Sequence, residues 1–229
     1  MPLEAVFCDV GGPIYDDENF VSAVLSALDQ LRRADGAAAA DRVRFRQIYD
    51  AVRAQQGGSL RAALAAEFLG STERRGELHE LTREFWIHPE GTMYADVLPF
   101  FRALAGRVKV GILANQEEGV IRALERDGLA DYIDVWGVSA VVGFEKPSRE
   151  LFTWCLDQAE TDAASAVHIG NRLDTDVLPA HALGLGTVWL LRGEAPDQPT
   201  ARQLAEPDLT VTTLDGLADT LFAEFPRVR

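Results

Sequence analysis

Leu3-Glu4-Ala5-Val6-Phe7-Cys8-Asp9-Val10-Gly11-Gly12-Pro13-Ile14 is the stretch whose reading decides the fold of this chain. Apolar residues of strand type run straight into Asp9, and the chain then turns on two glycines. A buried strand that ends in an exposed carboxylate puts that carboxylate at the carboxyl edge of a sheet, where open α/β folds bind ligands. Gly11 and Gly12 leave the backbone bare enough to approach an anion or a metal closely. Taken alone, a capping aspartate at the start of a turn is the simpler reading. The other strand ends decide between the two.

Outward from that strand, Glu18 to Arg33 has the spacing of an amphipathic helix, with Phe20, Val24, Leu28 and Leu31 on one stripe. Gly36 and an alanine run break it. Further helical segments are predicted near Arg42–Arg53, Leu60–Leu69 and Glu73–Trp86, parted by Gly57-Gly58 and Gly70-Ser71. Ser71 to Arg74 offers N-cap chemistry for the last of them. No strand-type run interrupts residues 18–90, so residues 16–91 are expected to form a helical cap domain. Residues 1–15 and 92–229 would then form the core domain.

Val97–Leu104 reads as the helix leading back to a second buried strand, Val108–Ala114, which ends at Asn115-Gln116. A helix from about Glu117 to Asp127 stops at Gly128. Tyr132–Val135 and Gly137–Val142 are weaker strand candidates, and Gly143 to Pro147 is a loop. Ser148 is placed as the cap of a helix running to about Ala159. Ala166–Ile169 is a short strand that delivers Gly170-Asn171-Arg172-Leu173-Asp174-Thr175-Asp176. A helix over Val177–Leu183, a strand over Thr187–Leu191, an edge strand Leu209–Thr212 and a helix Leu214–Phe225 complete the reading. Outside the insertion the order is strand, helix, strand, helix. That alternation predicts an α/β fold, a Rossmann-like parallel sheet flanked by helices.

The net charge of −14 argues against nucleic acid or an anionic membrane surface as a partner, since both need basic patches. An anionic substrate would have to be held by a local site, because the overall field repels it. Only two of the 22 basic residues are lysines, Lys109 and Lys146. Cys8 and Cys155 are expected to be buried thiols, and no zinc spacing is present. No stretch is long and apolar enough to span a bilayer, and no basic leader precedes an apolar run. A cytoplasmic protein, monomeric or homodimeric, is the expectation.

Four strand ends carry something polar: Asp9, Asn115, the loop with Lys146, and the Asn171/Asp174/Asp176 cluster. In a parallel sheet all project at the same edge. Individually they read as a turn residue, a surface lysine and helix N-terminal acids favoured by the macrodipole. Together, in an anionic chain with two lysines, they point to a site. Asp9-Val10-Gly11-Gly12-Pro13, Leu113-Ala114-Asn115, Lys146-Pro147 through Phe152, and Gly170-Asn171 through Asp176 follow in that order, and the pattern resembles the haloacid dehalogenase-like hydrolase superfamily. The helical insertion after the first strand is similar to that of the subgroup with an α-helical cap.

The resemblance implies that Asp9 attacks phosphorus and becomes an aspartyl-phosphate, that Lys146 neutralises it, and that Gly12, Ala114, Asn115 and Lys146 surround the phosphate. It also implies Mg²⁺ held by Asp9, the Gly11 carbonyl, Asn171 and Asp176, with Asp174 behind them. Three positions depart from the family pattern. Gly11 stands where the family has its acid/base aspartate. Ala114 lacks the hydroxyl that would donate to a phosphate oxygen, a loss of about 3 kcal/mol in the transition state. Asn171 carries one negative charge fewer, which weakens a Mg²⁺ site.

The leading expectation is a Mg²⁺-dependent phosphatase on a small phosphorylated metabolite. It would favour good leaving groups, or take its proton from Asp16 or Asp17. The alternatives are a 2-haloacid dehalogenase-type hydrolase, in which the same aspartate attacks carbon without metal, and a catalytically impaired binding protein of the same fold. Tyr15, Phe20, Trp86 and Tyr94 are candidate pocket residues or, equally, hinge core. His79 and His88 are expected to be solvated or capping, and His168 a hydrogen-bonded core group.

Overall fold

The computed structural model describes residues 2–225. Its strands are β1 (Ala5–Cys8), β2 (Lys109–Ala114), β3 (Val135–Val138), β4 (Ala166–Gly170), β5 (Gly186–Leu190) and β6 (Leu209–Val211). All neighbours pair in parallel, in the order β3-β2-β1-β4-β5-β6. The chain leaves β1 in one direction through β2 and β3, then returns to lay β4 on the other side. That reversal at β1 is the switch point where such sheets bind ligands, beyond the carboxyl ends of the strands.

Successive residues of a strand face opposite sides, and β1 divides its four side chains accordingly. Val6 and Cys8 enter a core with Val110, Ile112, Phe101 and Leu104, while Ala5 and Phe7 enter one with Leu113, Leu151, Phe152 and Cys155. The two cysteines therefore lie on opposite faces of the sheet, and both are buried free thiols. Burial on both faces explains why the strands read as unbroken apolar runs rather than alternating ones.

The insertion is helical throughout: α1 (Glu18–Ala34), α2 (Arg42–Gln55), α3 (Leu60–Leu69) and α4 (Arg75–Phe85). Val24, Leu28, Phe45, Leu64 and Leu78 close a core of their own. Asp41 and Ser59 cap α2 and α3 by accepting from backbone N–H groups. The return passes through α5 (Val97–Leu104), and α6 (Gly119–Arg126) follows β2.

Three expectations need correction. The second weak strand candidate ends early: β3 stops at Val138, and Ser139–Val142 is a short helix, α7. There the Ser139 hydroxyl accepts from Gln116 N–H at 3.0 Å, where the strand gives way to the helix. Ser148 precedes α8 (Arg149–Gln158), but its hydroxyl donates to Glu150 rather than accepting from the helix backbone. The helix expected from Val177 begins instead with one wide turn over Leu173–Val177 before α9 (Leu178–Leu183). That turn swings Asp176 back under β4. The chain closes with α10 (Ala201–Leu204) and α11 (Leu217–Glu224).

Candidate active site

Asp9 follows β1, Asn115 follows β2, and Asn171 to Asp176 follow β4. Because these three strands are adjacent, their ends meet at the switch point. Lys146, from the loop before α8, joins them and is 4% exposed. Its Nζ lies 2.8 Å from Asp9 Oδ1 and 2.5 Å from Asp176 Oδ1. Asn115 fixes the lysine backbone from both sides, accepting from Lys146 N–H at 2.7 Å and donating to its carbonyl at 2.9 Å.

Asp176 is fully enclosed, and its oxygens are committed. Oδ1 also receives His168 Nε2 at 3.0 Å, and Oδ2 receives the Arg172 N–H at 3.0 Å. Gly170 makes this possible, since a Cβ there would sit 2.2 Å from the Asp176 carboxyl carbon. Burial works against ionisation of Asp176, but the Lys146 charge and the His168 hydrogen bond hold its carboxyl well below the usual range. Asp9 is less supported: burial outweighs Lys146 and pushes it up to about 6. Burial lowers the His168 pKa, so its neutral ring donates Nε2–H to Asp176. Burial would discharge Lys146, yet the two carboxylates keep it raised and charged. Removing one member of such a buried set leaves an uncompensated charge.

Asp16 and Asp17, equivalent in the sequence, separate in space. Asp16 is exposed and accepts from Glu18 N–H at 3.0 Å. Asp17 is 6% exposed and lines the same cleft as Asp9. Its Oδ2 takes Asn171 Nδ2 at 3.0 Å and Glu194 N–H at 2.7 Å. Its Oδ1 stands 2.9 Å from where a Cβ on Gly11 would be. A carboxyl from the start of α1 thus fills the space left by the missing side chain at residue 11. Burial, then the charges of Glu194 and Asp9, raise its pKa well above the usual carboxylate range.

Of the other sequence-predicted residues, Gly11 and Asn115 line the cleft, while Gly12, Ala114, Asn171 and Asp176 are enclosed behind it. Gly12 adopts φ 83°, and a Cβ there would lie 1.9 Å from Asn171 Nδ2, so no other residue fits. Arg192 donates to the Gly12 carbonyl and pairs with Asp96 at 2.8 Å, which straps this turn to the core. Asp174 pairs with Arg172 at 2.7 Å and not with the floor.

The donor set expected for a metal is all oxygen, as a hard dication requires. Asp9, the Gly11 carbonyl and the Asn171 carboxamide fit that chemistry. Asn171 has its nitrogen fixed by Asp17 and the Arg192 carbonyl, and its oxygen accepts no hydrogen bond among the described residues. Asp176 does not fit, because Lys146, His168 and Arg172 take both its oxygens.

The cleft has a volume of ≈ 820 Å³ and a second wall, supplied by the insertion. Phe20 and Trp86 line it, whereas Tyr15 is buried with its hydroxyl on Asp127 and Tyr94 lies under Arg192. His88 is neither solvated nor a cap: it is buried, stacks on Tyr15 at 4.5 Å and bonds Gln116 at 3.0 Å. His79 is half-buried on the wall. The sequence reading missed Arg61 and Arg75, which also face the cleft. A signal for Arg61 was present. It follows the cap Ser59 in the first turn of α3, where a cation opposes the helix dipole.

The family model for haloacid dehalogenase-like hydrolases matches residues 3–184. The chain is 33% identical over 121 residues to pyrimidine 5′-nucleotidase YjjG of Escherichia coli, spanning 52% of each. It is 26% identical over 213 residues to a ribulose-1,5-bisphosphate 5-phosphatase of Halopiger xanaduensis, covering 90% of this chain and 83% of that one. The match thus spans about half the length of the first relative and most of the second. Among solved structures, the putative HAD-hydrolase YfnB from Bacillus subtilis, bound to magnesium, superposes with a TM-score of 0.67 at 17% identity. That superposition covers 96% of this chain and 99% of that one, and it shows the shared fold.

Proposed function

This chain belongs to the haloacid dehalogenase-like hydrolase family, and from that membership we propose that it is a Mg²⁺-dependent phosphatase of a small phosphorylated metabolite. The observation that carries the reading is Asp9, which faces the cleft with Lys146 Nζ 2.8 Å from its carboxylate. The two relatives named as phosphate-releasing enzymes, a 5′-nucleotidase and a bisphosphate phosphatase, support it.

In this reading an Asp9 oxygen attacks phosphorus, the ester oxygen leaves, and an aspartyl-phosphate forms. Water then attacks phosphorus, giving its proton to the Asp17 carboxylate left by the first step, and the bond to Asp9 breaks to release phosphate and restore Asp9. Lys146 neutralises charge on Asp9 and on the transferred group, while Asn115 holds the lysine backbone and Asp176 with His168 holds its ammonium. Asp17 gives the leaving oxygen its proton, in place of the side chain that Gly11 lacks. Asp9, the Gly11 carbonyl and Asn171 would hold Mg²⁺, which supplies charge neutralisation at the phosphoryl oxygens when bound. Asp176 orients Lys146 rather than ligating the ion.

The test is turnover of p-nitrophenyl phosphate with and without Mg²⁺. Phosphate release that requires the ion and disappears in Asp9→Asn is the expected result. Activity on 2-haloacids that survives EDTA would move the reaction to carbon. Absence of both turnover and Mg²⁺ binding would leave a binding protein.

A further inference from the structure

Most cations around the cleft are matched by carboxylates. Lys146 has Asp9 and Asp176, Arg172 has Asp174 and Glu194, and Arg83 has Glu117. Arg61 is different. It has no hydrogen bond and no ion pair among the described residues, and its Nε is buried without an acceptor. Its one close partner is the Phe20 ring, 5.0 Å below the guanidinium. Glu194, Glu145 and Glu117 act on it only at a distance, and burial, the largest influence, lowers its pKa.

A second donor on this wall is also unanswered. Trp86 packs against the same Phe20 ring at 5.1 Å, and its Nε1–H is buried with no acceptor. Gly58, Ser59 and Leu60, at the N-terminus of α3, complete this side of the cleft. An unpaired guanidinium, an unpaired indole N–H and the positive end of a helix therefore share one wall. Each is unfavourable where it stands: the cation opposes the dipole, and both N–H groups have lost water without gaining an acceptor. An anionic group beside the Arg61 guanidinium relieves its conflict with the dipole. Local rules broken together at a cleft are expected where a ligand supplies the missing partner.

We infer that the cleft takes a phosphomonoester bearing a second anionic group, carboxylate or phosphoryl, which Arg61 and Trp86 bind on the cap wall while the ester phosphate lies at Asp9. Arg61 is thus a specificity-determining residue. The inference rests on the phosphatase reading for the position of the ester, but the second-anion site can be tested without turnover.

Calorimetry with three non-hydrolysable ligands of one length makes the test: propylphosphonate, 3-phosphonopropionate and ethane-1,2-diphosphonate. The wild type is expected to bind at least one of the two doubly anionic ligands about tenfold or more tightly than propylphosphonate, the worth of a charge-assisted hydrogen bond. Which of the two gains identifies carboxylate or phosphoryl. Arg61→Gln should erase the gain and leave propylphosphonate affinity unchanged, Arg61→Lys should restore part of it, and Trp86→Phe should reduce it by a smaller factor. Equal affinity for all three ligands, including no detectable binding of any, overturns the inference. So does a gain that survives Arg61→Gln. Failure of the phosphatase reading shows separately, as absence of p-nitrophenyl phosphate turnover by the wild type.

Discussion

The floor and the cap wall of the cleft handle charge in opposite ways. On the floor the charges pair with one another: Lys146 bridges Asp9 and Asp176, and His168 and the Arg172 backbone complete Asp176. On the wall, Arg61 and Trp86 each carry a buried N–H with no acceptor. A closed set of charges holds a reacting group still, whereas an open one waits for a ligand. The floor is thus suited to chemistry and the wall to choice of substrate. Asp17 stands between them, carried by the start of α1 but anchored to Asn171 and Glu194 of the core.

If the floor is the reacting region, Asp9→Asn should lower kcat by on the order of 10⁴ or more while the melting temperature stays within a few degrees. Retained activity would break the division outright. Lys146→Met should also abolish turnover and, in denaturant titration, cost about 3 kcal/mol, because two buried carboxylates lose their shared cation. An unchanged midpoint would mean that the floor is not electrostatically closed.

Asp17→Asn tests the boundary between the regions. Hydrolysis of alkyl phosphates should fall about 10²-fold, with aryl phosphates, whose leaving groups need no proton, nearly unchanged. Equal losses on both would remove Asp17 from proton transfer. Asn171→Asp should tighten Mg²⁺ about tenfold in calorimetry by restoring a ligand charge. No change would take residue 171 out of the ion's reach.

The smallest effect lies behind the floor, at Asp96. Burial alone would raise its pKa, but the Leu214 N–H, Arg192 and Thr213 lower it. Its folded value is below its unfolded one. The stability it contributes is therefore fully present above the unfolded pKa near 4 and is lost as pH falls through the folded value. Asp96→Asn should flatten that part of the stability profile, on the acid side of the unfolded pKa near 4.

Much of the floor was legible because a parallel sheet brings strand ends to one edge, and the ends of β1, β2 and β4 carried polar residues in the sequence. Roles were less legible than places. Asn115 grips the Lys146 backbone, and Asp176 serves Lys146, because the wide turn at Leu173–Val177 folds its side chain back under Gly170. Neither turn geometry nor hydrogen-bond partners leave a mark in the spacing. The wall was legible only in part: Phe20 and Trp86 were candidate pocket residues and line the cleft, but an amphipathic helix reveals its buried stripe, not which polar residue beside that stripe faces a cleft.

The sequence by itself determined the alternation of strands and helices, the helical insertion after β1, the carboxylate at the end of β1 and the absence of an acid at residue 11. These follow from periodicity and residue identity, which are local. Only the tertiary structure buried Asp17 in the cleft while leaving Asp16 exposed, set Asp176 against Lys146, and left Arg61 without an ion pair among the described residues. Those outcomes depend on distances between segments far apart in the chain, and burial and pairing, which set the behaviour of a charge, exist only once those segments have packed.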